Sequence, residues 1–82
     1  MAQDKERVIT SLKDDCMEGR KAMRIYYGRD GECSQEAKNG REIILHKDYH
    51  GEYDIVWFVV FENGIEVSRH NAKYIETIEW KV

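Results

Sequence analysis

A chain of 82 residues with 13 Lys/Arg, 16 Asp/Glu, 41% apolar and 35% charged residues is one small domain, which buries only about 60% of its unfolded surface and has no room for a large enclosed active site. The aromatic and β-branched residues crowded into its second half exclude a disordered chain. Residues 1–41 hold nine Lys/Arg against eight Asp/Glu and residues 42–82 four against eight; this acidic second half disfavours duplex nucleic acid, which needs clustered cations, and suits a basic protein partner.

Residues 4–18 read as an amphipathic helix. Asp4 is placed to cap it, Val8, Ile9, Leu12 and Cys16 form a narrow apolar stripe, and Gly19 stands where a left-handed C-cap is wanted. A first strand is expected over Lys21–Tyr27, followed by a turn at Gly28-Arg29-Asp30-Gly31. Residues 32–41 leave two readings open, a short edge strand or a polar loop over Glu32 to Lys38, with Asn39-Gly40 as a tight turn; a mobile arm or a rim hairpin follows if both turns are real. A second strand is expected over Arg41–Lys47, closed by Asp48-Tyr49-His50-Gly51.

The run Ile55-Val56-Trp57-Phe58-Val59-Val60-Phe61 is apolar in both alternating registers, the mark of a strand covered on both faces. Asn63-Gly64 then predicts a two-residue type I′ hairpin, pairing Glu62 with Ile65, Val60 with Val67 and Phe58 with Arg69 on one face, and Phe61 with Glu66, Val59 with Ser68 and Trp57 with His70 on the other. In that register Val56, Phe58, Val60, Ile65 and Val67 form the core, while Trp57, Val59 and Phe61 need cover from the helix, a second subunit or a binding target. A last half-buried strand is expected over Lys73–Val82. The expected fold is α+β, a single domain over 1–82 with a helix at 4–18 and a strand-rich body at 21–82, whose five or so mainly antiparallel strands make a strongly bent sheet or small β-barrel. The two-faced central strand further predicts a homodimer or small ring.

Cys16 and Cys33 are the only cysteines, the N-terminus lacks an apolar leader and no run is long enough to span a bilayer. These features point to a cytoplasmic protein with reduced thiols, a Cys16–Cys33 disulfide remaining as the alternative.

Val56 to Val67 together with Asn71-Ala72-Lys73-Tyr74-Ile75 resembles the small β-barrel class, in particular the Sm-like plan, in which a single helical turn precedes the last strand. No nucleotide-contacting residue of that family is carried over. The stretch Phe61 to Ile75 also resembles the C-terminal halves of small phage- and prophage-encoded proteins, some of which inhibit host defence, including anti-CRISPR proteins; the resemblance implies an accessory inhibitor and assigns no residue.

His46, Asp48 and His50 share one side of an extended backbone and are the sharpest metal-like set, but a polar turn ending at Gly51 would break the alignment, so no metal or cofactor is expected. Cys33 has the acidic neighbours Glu32 and Glu36, which disfavour a thiolate. Ser34 and Ser68 lack an elbow motif, and no phosphate-cradling loop is present. The expectation is therefore a non-catalytic protein that inhibits a host protein through an acidic, aromatic-containing sheet surface made of Trp57, Phe61, Glu62, Glu66, Arg69, Glu76, Glu79 and Trp80. The alternative is a barrel that binds single-stranded nucleic acid or a nucleotide signal, if Tyr26, Trp57 and Trp80 share a face with Arg24 or Arg69 at hand for phosphate.

Overall fold

The computed structural model describes residues 18–50 and 53–81, with the side chains of residues 49, 50, 53 and 54 excepted; the helix expected at 4–18 lies almost wholly outside them. Six strands follow in order: β1 (Lys21–Tyr27), β2 (Cys33–Glu36), β3 (Arg41–His50), β4 (Tyr53–Glu62), β5 (Ile65–Asn71) and β6 (Ile75–Trp80). Every pairing is antiparallel and the sheet runs β2-β1-β3-β4-β5, with β6 on β1. It is strongly curled, a half-barrel. Among the described residues no helix is long and apolar enough to cross a membrane.

β1 organises the curl because it pairs with three strands. Its start, Lys21 and Ala22, pairs with Ile44 and Ile43 of β3, and its remainder, Arg24 to Tyr27, pairs with β2. β6 pairs along Ala22 to Tyr27 with two register shifts, between Ala22 and Arg24 and between Tyr26 and Tyr27. Such bulges add twist and bend the strand, which folds β6 back over the inner face. A 3-10 turn, Ala72–Tyr74, delivers the chain from β5 to β6, with Asn71 Oδ1 accepting from the Lys73 backbone N–H at 3.0 Å. The resemblance to the Sm-like plan implied a single helical turn at this point.

The inner face is the core: Ala22 and Ile25 of β1, Ile43 and Leu45 of β3, Val56, Phe58 and Val60 of β4, Ala72 of the turn, and Ile75 and Ile78 of β6. Burying an aliphatic or aromatic side chain of this kind contributes about 1.5–3 kcal/mol. Tyr27, Ala37 and Trp80 pack at its margin.

One open reading is decided and two expectations are corrected. Of the edge strand and the polar loop, the edge strand is the one formed: Cys33–Glu36 is held by the β1 ladder and by Glu36, which takes Arg24 at 2.8 Å and Lys38 at 3.2 Å. Asp48-Tyr49-His50 does not close the second strand, since β3 runs on to His50 and pairs to its end with β4. The central hairpin keeps its expected register for two pairs only, Glu62 with Ile65 and Phe61 with Glu66; a bulge follows, and Val60 pairs with Ser68, Val59 with Arg69 and Phe58 with His70. The turn chemistry itself holds, because Asn63 (φ 53°) and Gly64 (φ 82°) are both left-handed as a type I′ turn requires. Past the bulge, each side chain of β5 changes face. Ile65 at the hairpin end and Val67 at the bulge itself stay out of the core and stand 69% and 50% exposed.

Candidate binding groove

The outer face of the sheet carries Ile55, Trp57, Val59 and Phe61 of β4, opposite Asp48, His46, Ile44 and Glu42 of β3. On the β5 side the bulge at Val67 decides the neighbours. It opposes Arg69 to Val59 and Asn71 to Trp57, so that a guanidinium lies over the indole, 5.5 Å from the ring centroid. This corrects the expected unpartnered stripe, because Val59 is only 3% exposed and Ile44 supplies an apolar neighbour.

A charge network crosses this face. Arg69 Nη2 and Nε donate to the two Glu66 oxygens at 2.8 and 3.2 Å, and Arg69 Nη1 lies 3.7 Å from Asp48 Oδ2. Asp48 Oδ1 is 2.7 Å from His46 Nε2, and His46 Nδ1 is 3.0 Å from Glu18 Oε1. The second Glu18 oxygen accepts the Lys47 backbone N–H at 2.7 Å, fixing where residue 18 meets β3. The paired Arg69 hydrogen bonds hold the Glu66 carboxyl below its ordinary range and raise the guanidinium in turn. His46 and Asp48 are thus on one strand face, as the spacing implied. Their partners, however, are each other, Glu18 and Arg69, and among the described residues no group of three or more His, Cys, Asp or Glu is placed to hold a metal ion. Cys33 is an exposed free thiol, against the alternative that paired it with Cys16.

Where β5 runs into the 3-10 turn, a groove of about 580 Å³ opens, collecting side chains from both faces of the sheet. Trp57 and Arg69 come from the outer face, His70 and Tyr27 from the inner, and Asn71, Lys73 and Tyr74 from the turn. The Tyr27 and His70 rings lie 4.3 Å apart, tilted by 37°. Tyr74 is 62% exposed, with the Lys73 ammonium 5.0 Å from its ring centroid. Burial pushes the His70 pKa below the ordinary histidine value. Among the described residues the buried Trp57 Nε1–H has no hydrogen-bond acceptor.

Of the residues singled out from sequence, Trp57, Phe61, Glu66 and Arg69 share the outer face. Glu62 sits at the hairpin end, 3.6 Å from Arg41. Glu76, Glu79 and Trp80 lie apart on β6, with Trp80 stacked near Phe58 (5.9 Å) under Arg20 (4.3 Å) and Glu79 accepting from the Tyr26 hydroxyl at 3.3 Å. Tyr26, Trp57 and Trp80 therefore do not form one platform. Tyr27, His70 and Tyr74 were not singled out; the only local signal for Tyr74 was the Asn71 cap that turns it outward. Compared with protein-family models, with curated proteins and with solved structures, the chain matches none.

Proposed function

We propose that this chain is a small non-catalytic binding domain whose recognition site is the groove between Tyr27, Trp57, His70 and Tyr74. The observation that carries this reading is the concavity of about 580 Å³ lined by these four residues, with Tyr74 62% exposed at its rim. The test is two-dimensional NMR of the labelled protein with a chemically mixed set of small fragments. Shifts concentrated at the Trp57 indole and the Tyr27, His70 and Tyr74 amides are the expected result. Shifts confined to β6, or none at any groove residue, remove the groove from the account.

A second reading, a phage-type accessory factor that inhibits a host protein, is favoured by a different observation. Ile65 and Val67 are exposed on either side of Glu66, on a strand paired on one side only among the described residues. Such an edge accepts an added strand, with the side chains beside it setting the choice of partner. The dispersal of Glu62, Glu66, Glu76 and Glu79 over two regions, with Glu62 and Glu66 each held by an arginine, moves the contact from a broad acidic face to this edge. Val67→Lys is expected to leave stability within about 0.5 kcal/mol of wild type, as exposed substitutions do, while abolishing co-purification with such a protein. A complex that survives the lysine leaves β5 without a role.

A further inference from the structure

We infer that the groove binds a nucleoside phosphate, seating the base among Tyr27, Trp57 and Tyr74 and the phosphate at Lys73. This rests on the reading of the groove as the recognition site and adds the chemistry of its ligand.

Three observations converge on that chemistry. The first is sign: the protein carries a net charge of -3, yet none of the described residues lining the groove is Asp or Glu, and two of them are Arg69 and Lys73. Arg69 is already shared with Glu66 and Asp48, whereas Lys73 makes no ion pair among the described residues and lies beside the Tyr74 ring. Lys73 is therefore the cation open to an incoming anion.

The second is the polarity of the hydrogen-bonding groups. Asn71 spends its side-chain oxygen on the Lys73 backbone N–H, so its amide nitrogen is what remains, and Lys73 can only donate. A phosphate brings acceptors alone, and a base adds ring-nitrogen and carbonyl acceptors.

The third is shape. Tyr27, Trp57, His70 and Tyr74 all line one concavity of about 580 Å³. Aromatic faces of this kind stack bases without regard to sequence. The His70 ring, lodged against Tyr27 at 4.3 Å, acts as wall.

The experiment follows the Trp57 indole N–H of the labelled full chain by NMR, its signal identified by its loss in Trp57→Phe. Three probes are titrated in turn: uridine monophosphate, a six-nucleotide oligothymidylate and a glutamate-rich peptide. Either nucleotide probe should move the Trp57 indole and the Tyr74 amide. Movement by the monophosphate places the ligand among free nucleotides, and movement by the oligomer alone among single strands. Tyr74→Ala, at an exposed ring, should weaken binding by about tenfold. Lys73→Gln should weaken it and remove the salt dependence of one phosphate, a slope of about −0.7 in log K against log salt; Lys81→Gln, remote from the groove, should leave both unchanged. Groove shifts with the acidic peptide alone overturn the nucleotide assignment and leave the recognition site standing. Nucleotide-induced shifts that persist undiminished in Tyr74→Ala and Lys73→Gln overturn it as well. No shift with any probe overturns it too, and the fragment screen then decides on the groove by itself.

Discussion

Replacing Phe58 by alanine is expected to cost about 3–5 kcal/mol, most of the stability a domain of this size possesses. Phe58 is fully buried on the inner face, opposite Leu45 on β3 and His70 on β5, with the Trp80 ring of β6 5.9 Å away. It therefore touches strands from both ends of the curl, and a void there separates β6 from β4 instead of loosening one hairpin. Urea denaturation checks this: the midpoint should fall sharply, or the variant should be unfolded without denaturant. Ile65→Ala, at a side chain that is mostly in solvent, should shift the midpoint little, with an unchanged denaturant slope. A Phe58→Ala loss below about 1 kcal/mol would mean that β4 is not the centre of the core.

Phe58 could be assigned inward from sequence because alternation along β4 is local, and the partner positions Val56 and Val60 obey it. The two Asn-Gly turns were legible for the same reason: each needs consecutive left-handed residues, and few dipeptides supply them. Turn chemistry, however, sets register only for the first pairs. Whether a strand then bulges depends on twist and on which neighbours must be covered, and neither is encoded in the β5 residues alone. Ile65 and Val67 look like core in an alternating strand, while the bulge gives the inward positions to Ser68 and His70, opposite Val60 and Phe58. β2 was obscure for the opposite reason. Cys-Ser-Gln-Glu has no apolar period to read; the strand exists because the edge of β1 beyond Ala22 offers it a ladder and Arg24 a counter-ion for Glu36.

The groove shows the same division between local and non-local information. Trp57 stood out early because a large apolar residue on the outer face needed an explanation. The company it keeps is set by the curl, which carries the end of β1 round to the end of β5 and brings Tyr27 against His70. Those residues are 43 positions apart in the chain, and no spacing rule links them. The acidic surface expected from the charge imbalance of the second half dissolved similarly, because strand pairing sets first-half cations such as Lys21 and Arg41 against Glu42 and Glu62. The Lys21 hydrogen bond lowers the pKa of Glu42. These exposed pairs contribute little to stability, but they determine what field a partner meets.

The two Asn-Gly turns also lean on each other, and this makes Gly40→Ala the second large expected effect. Lys38 O accepts from Arg41 N at 3.1 Å to close the first turn, and Gly40 O accepts from Asn63 N, in the second, at 3.0 Å. Gly40 has φ +86°, where an alanine costs about 1–2 kcal/mol. Its added Cβ would also lie 2.6 Å from Asn63 Oδ1, too close to coexist, so the asparagine side chain must rotate away from the turn it stabilises. Gly64 provides the control, with φ +82° and nothing within 4 Å of an added Cβ. Gly64→Ala should show the backbone cost alone, and Gly40→Ala should exceed it by about 1 kcal/mol, measured by thermal or urea melting. That excess belongs to a pair. In a Gly40→Ala background, Asn63→Gly, which keeps the left-handed turn but removes the obstructing amide, should abolish it, and the double-mutant cycle should yield a coupling of the same size. Equal losses for Gly40→Ala and Gly64→Ala, or a cycle that closes to zero, would show that the turns bear on each other only through the backbone.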